Sequence, residues 1–174
     1  MNEISKRNPL VAGLLSLFLG PIGYVYIGGW FMLSGIIISV LFLVVLSIIN
    51  LPFPDFFNYL QLFVYAYFGY KLATIRNIFA DEWNLTNEDI KEFKSFGFSF
   101  VIMTNLLMSL TQFYSVVVGL YLAFKSFSDG KILIGILILI FGIGIMRWLL
   151  SSIFTFVSGL LMLLFKVDKK YFLW

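Results

Sequence analysis

The sequence predicts an all-α fold: a polytopic integral membrane protein with about four full crossings plus a short N-terminal re-entrant or half-depth helix. Three observations carry this reading. Hydrophobic residues make up 61% of the 174-residue chain and charged residues only 12%, against roughly 25% charged in a soluble domain. Too little polar surface remains to cover a water-soluble globule. The apolar residues gather into five segments, about 9–19, 24–49, 56–74, 97–124 and 132–165, with one substantial hydrophilic stretch at 76–94. Basic residues sit at segment ends, where they report orientation rather than a nucleic-acid partner.

A helix needs about 20 apolar residues to cross the hydrocarbon core. Segment 9–19 is too short to do so alone. Gly20-Pro21-Ile22-Gly23 stops it, because proline removes a backbone donor and glycine permits the turn. Backbone groups freed at membrane depth must be satisfied by protein or water. Tyr24, Tyr26 and Trp30 beyond the break suit an interfacial belt. Segments 24–49 and 56–74 each fit one crossing. Leu51-Pro52-Phe53-Pro54-Asp55 between them suits an interfacial turn, with Asp55 as a helix cap.

In the hydrophilic stretch, Thr86-Asn87-Glu88-Asp89 is a capping-box variant that opens a helix toward Ile90 and Phe93. Segments 97–124 and 132–165 would reach roughly 42 and 51 Å as helices, so each must tilt, project or break. The last is open to a reading as two short spans turning near Arg147-Trp148. Ser126-Phe127-Ser128-Asp129-Gly130-Lys131 has the right length to join the two as antiparallel neighbours. With no repeat or linker, residues 1–174 read as a single membrane domain. The opening Met1-Asn2-Glu3-Ile4-Ser5-Lys6-Arg7 precedes an apolar run without a small-x-small cleavage site, so it is expected to be retained.

The positive-inside rule orients the chain. With the N-terminus cytoplasmic and 9–49 making one net crossing, Lys6, Arg7, Lys71, Arg76, Lys91, Lys94, Lys166, Lys169 and Lys170 fall inside. Lys125 and Lys131 fall outside, and Arg147 lies within the membrane. A full crossing by 9–19 would move Lys6 and Arg7 outside. The first arrangement has the greater asymmetry, and it makes 9–19 re-entrant.

The stretch from Lys6 to Trp30, KRNPLVAGLLSLFLGPIGYVYIGGW, resembles the N-terminal hairpin of TM-two-domain proteins and related small bacterial multi-pass membrane proteins. Those families place a Gly-rich turn and a Tyr-Gly pair between two apolar helices. Their usual His-Arg-Phe-Tyr-Leu-Gly stretch is replaced here by Tyr24-Val25-Tyr26-Ile27-Gly28, so the basic turn residue is missing. The resemblance implies a membrane hairpin and no particular activity. The expected location is a bacterial inner membrane, with both termini cytoplasmic.

Cysteine and histidine are both absent. Thiolate nucleophiles, disulfides, Cys/His metal sites, His-ligated haem and His-based acid–base chemistry are therefore excluded, and no cofactor is expected. The acids are concentrated in termini and loops, and no Ser–Lys motif is recognisable, so the chain reads as non-enzymatic. Ala12, Ser16 and Gly20 form a doubled small-xxx-small pattern, and Gly35 with Ser39 another. With Pro21, Gly23, Gly28 and Gly29, the first set makes a candidate helix-packing turn.

On 97–124, Asn105, Ser109, Gln112, Val116, Gly119 and Ala123 share a stripe; on 132–165, Arg147, Ser151, Thr155 and Ser158 share another. The polar members are candidate interface or pore residues. Arg147 stands out, because a charge in mid-membrane costs at least about 2.5 kcal/mol and is a functional candidate by default; the alternative is that this long segment lets it reach an interface or headgroup by snorkelling. Its candidate partners are lipid phosphate, backbone carbonyls, an anion or another subunit. Lys71 and Arg76 read as snorkelling anchors. Two roles follow: a scaffold or accessory subunit of a membrane complex or homo-oligomer, or a small oligomeric channel or transporter lined by the two stripes.

Overall fold

Small residues and helix stops explain most of the architecture. The structure, a computed structural model, describes residues 4–49, 56–81 and 86–167. Among these, 90% are helical and none is in a strand. In chain order the elements are α1 (Pro9–Leu19), a 3-10 turn (Gly20–Tyr26), α2 (Gly29–Ile49), α3 (Phe56–Asp81), α4 (Asn87–Phe93) and α5 (Phe96–Ser128). They are followed by α6 (Ile132–Leu137), a π turn (Ile138–Gly142) and α7 (Ile143–Phe165). Three described helical stretches are long and apolar enough to cross a membrane: Pro9–Tyr26, Phe96–Ser128 and Ile132–Phe165. Gly29–Val44 is a shorter apolar helix.

Several boundaries differ from the sequence reading. The second segment becomes α-helical at Gly29 rather than near Tyr24, because the 3-10 turn consumes residues 20–26. Helix α3 continues past Thr74 to Asp81, so Arg76 to Asp81 of the hydrophilic stretch are helical. Segment 132–165 does not turn at Arg147-Trp148. Ile138, Gly142 and Ile143 all keep right-handed helical dihedrals through the π turn, so α6 and α7 form one continuous helix. No proline is present to stop it. The interfacial turn 51–55 lies outside the described residues.

Local chemistry accounts for the ends. Asn8 caps α1, its side chain accepting from the N–H groups of Leu10 at 2.9 Å and Val11 at 3.4 Å, with Pro9 in the first turn. Thr86 and Asp89 form a reciprocal capping box at α4. At the end of α5, the Lys131 N–H donates to Ser126 at 2.8 Å and the Gly130 N–H to Phe127 at 3.0 Å. Gly130, at φ +75°, supplies the left-handed residue that this closing motif needs.

Backbone contacts divide the chain into two compact units, Met1–Met103 and Thr104–Trp174, with the boundary inside α5. The first has a dense centre. Phe79, Phe93 and Phe98 stack at centroid distances of 4.9, 5.2 and 5.3 Å, and Phe31 joins Phe93 at 5.9 Å. These rings bind α2, α3, α4 and the start of α5 together. In the second unit, α5 and the α6–α7 helix run antiparallel: Asn105 meets Ser158, Gly119 meets Ile143, and Phe127 meets Gly135.

Candidate functional sites

The N-terminal hairpin is built on glycine contacts. At Gly20 the backbone takes φ +57°, which glycine adopts without strain, and the chain reverses. Gly23 then lies against α1 so closely that a Cβ there would come within 2.6 Å of the Leu15 and Ser16 backbone. On the other side of α1, a Cβ on Gly69 of α3 would come within 2.3 Å of Ser16 Oγ and 2.6 Å of the Ala12 carbonyl. Ala12 and Ser16 are fully buried there, and the Ser16 hydroxyl donates to the Ala12 carbonyl at 2.8 Å. Pro21 opens the 3-10 turn, Gly28 packs beside Phe31, and Gly29 has open space around it.

Tyr24 departs from the interfacial-belt reading. It is fully buried, its ring packed where Gly35 has no side chain, and its hydroxyl donates to the Tyr65 carbonyl at 3.5 Å. Trp30 remains half exposed. Gly69 was not singled out by the sequence, although Ala66, Gly69 and Ala73 carry the same small-residue signal on α3 as Ala12 and Ser16 on α1.

Both ends of the hairpin arrive at one polar collar. The Asn8 N–H donates to the Tyr26 hydroxyl at 3.4 Å, so residues 8 and 26 lie at the same level. Arg76 donates through Nε to the Ser5 carbonyl at 2.8 Å, through its second terminal nitrogen to Ser5 Oγ at 3.2 Å, and through the first to the Ile27 carbonyl. Asn77 exchanges two 2.7 Å bonds with the Arg7 main chain. The Arg7 guanidinium lies over the Tyr26 ring at 5.2 Å, and Lys6 pairs with Asp81 at 2.5 Å. Arg76 is therefore not a simple snorkelling anchor. Its guanidinium turns into the protein and ties residues 5 and 27 to α3. At this polar end of α3, beyond the apolar stretch, burial and then the neighbouring Arg7 charge lower the Arg76 pKa.

No family model, curated protein or solved structure matches the chain.

In the second unit the two polar stripes meet at one point. Ser158 Oγ donates to Asn105 Oδ1 at 2.9 Å. Other hydroxyls turn back onto their own helices: Ser109 to the Leu106 carbonyl and Thr155 to the Ser151 carbonyl, both at 2.8 Å. Gly119 and Ala123 are buried, whereas Gln112 and Ser151 are half-buried and Thr155 is exposed. Arg147 is exposed and has no hydrogen bond or ion pair among the described residues. The geometry thus separates Arg147 from the hydrogen-bonded pair that the stripe brings together. Among the described residues, no cluster of three or more acidic side chains could hold a metal ion.

Proposed function

We propose that the chain is a non-enzymatic multi-pass membrane subunit that associates with a second copy or another membrane protein through the outer face of α7. Arg147 carries this reading. It follows Ile132 by about 22 Å of helix and precedes Phe165 by about 27 Å, with apolar residues on both sides. The helix is longer than a hydrocarbon core of about 30 Å, and Arg147 lies near its middle. An unpaired guanidinium at that depth calls for an acceptor from outside the fold. Of the most apolar window of this helix, only 6% is buried within the protein, so its surface is open to lipid or a partner.

The topology proposed with it has α2, α3, α5 and the α6–α7 helix each crossing, and Pro9–Tyr26 entering and returning on the cytoplasmic side. The collar supports this, because Asn8 and Tyr26 bond to each other at the two ends of the hairpin. At 11 residues, α1 reaches only roughly 16 Å, about half of a hydrocarbon core. The likeness to TM-two-domain hairpins concerns this element alone. Single cysteines at Asn2, Asn87, Ser128 and Lys169 test the topology. Only position 128 is expected to react with an impermeant thiol reagent from outside, and labelling at position 2 would make Pro9–Tyr26 a full crossing.

A channel lined by the stripes has less support, because Ser109, Thr155 and Ser158 spend their hydroxyl donors inside the protein. Arg147→Gln separates the readings. A subunit-contact role predicts a smaller particle by light scattering in detergent, with the helical spectrum unchanged. Wild-type particle mass with ion flux lost in liposomes would favour the channel. Wild-type mass and no flux in either protein would overturn both.

A further inference from the structure

The collar of the first unit holds two arginines that pair with no carboxylate among the described residues. Arg76 places three of its five N–H donors on neutral groups of Ser5 and Ile27, which leaves two for a further acceptor. Arg7 lies against Tyr26, and its Nε is buried with no hydrogen-bond partner. Neither guanidinium pairs with a carboxylate among the described residues, and the Asp81 carboxylate is taken by Lys6. Like charges brought together repel, and a buried donor without an acceptor is destabilising. An anion beside the two guanidinium groups would offset their repulsion. The position of Arg7 is set independently of any ligand, because Asn77 bonds its main chain on both sides. Arg7 also stands two residues before Pro9, where the apolar hairpin begins, so in the proposed topology it lies at headgroup level. Guanidinium groups suit tetrahedral oxyanions, since their planar donors bond two oxygens at once.

We propose that Arg7 and Arg76 together hold a phosphate group, supplied by an anionic phospholipid or by a soluble phosphate ion. The lipid source rests on the topology proposed above; the phosphate site itself does not.

The test uses the full chain in a maltoside detergent, with thermal unfolding followed by circular dichroism and lipid retention by native mass spectrometry. Three additions are compared: phosphatidylglycerol, diacylglycerol with the same chains and no phosphate, and inorganic phosphate. Phosphatidylglycerol is expected to raise the melting temperature above that with diacylglycerol. In Arg7→Gln that shift should vanish and lipid retention fall about tenfold, the loss of one charge-assisted contact. Arg7→Lys should keep part of both. The Asn77 bonds use the main chain of residue 7, so Arg7→Gln is expected to fold; Arg76→Gln, which also releases residues 5 and 27, serves only as a comparison. A shift with phosphatidylglycerol but not inorganic phosphate assigns the group to lipid, and equal shifts with both assign it to the soluble ion. Arg7→Gln retaining lipid and shifting as the wild type does would overturn the site. So would a wild type stabilised equally by diacylglycerol.

Discussion

The two units use small residues to different ends. In Met1–Met103, glycines bring backbone against backbone: Gly23 meets Leu15 and Ser16, a Cβ on Gly13 would lie 3.2 Å from the Ala66 carbonyl, and Gly69 meets Ala12 and Ser16. In Thr104–Trp174 the same device accommodates side chains, Gly119 against Ile143 and Gly135 against Phe127. Lipid tails are as apolar as leucine, so close packing rather than water exclusion holds helices together in a bilayer. Backbone-to-backbone contact gives the first unit an interior of its own. Among the described residues, the second unit is a helix pair that leaves most of its large apolar side chains exposed. The difference is graded along the chain: 28% of the Pro9–Tyr26 window is buried, 22% of that in Phe96–Ser128 and 6% of that in Ile132–Phe165.

Gly69→Ala is expected to break the comparison most severely. Its methyl meets the Ala12 backbone carbonyl and the Ser16 Cβ, neither of which can move away without displacing α1. A loss of about 3 kcal/mol in detergent melting is expected, the upper end for overpacking. An unchanged melting temperature would show that α1 and α3 do not pack closely.

Gly119→Ala is the matched test in the second unit. The obstructing atoms, at 2.5 and 3.1 Å, belong to the Ile143 side chain, which can change rotamer. About 1 kcal/mol is expected. A cost equal to that of Gly69→Ala would erase the distinction between the units.

The smallest effect concerns Asn105 and Ser158. A double-mutant cycle with Asn105→Leu and Ser158→Ala should return a coupling of about 0.6 kcal/mol, the average for an interhelical hydrogen bond in a membrane. Coupling near zero would leave only packing between α5 and α7.

Much of the helical layout was legible because long apolar runs and Gly-Pro stops are local signals. Pro9–Leu19 and the outer limits Ile132–Phe165 coincide with the segments read from the sequence. The pairing of α1 with α3 was not legible. Small-xxx-small spacing marks a face, but it does not name the helix that approaches it. Arg76 was read as an anchor for a related reason. A basic residue beyond an apolar stretch has the same sequence context whether it reaches lipid or turns inward to Ser5 and Ile27, and only the fold supplies those carbonyls. Arg147 shows the converse: its depth in an apolar run marks it without any contact being known. The Asn8 cap carries a local signal as well, since Asn-Pro before an apolar run is a recognised helix opening.

The π turn at Ile138–Gly142 gives the last helix a tolerance that a straight helix lacks. Such a turn accommodates one residue more than regular α-helical winding needs. Removing a single residue there would let the helix close up without a break, while its downstream face keeps nearly the same direction relative to α6, because the wide turn takes up the extra residue locally. Arg147 and the outer surface of α7 would then point as before. In a lineage of such chains, a one-codon deletion at this turn would leave the surface that meets a partner in place, whereas the same deletion in regular α-helix would rotate it by about 100°.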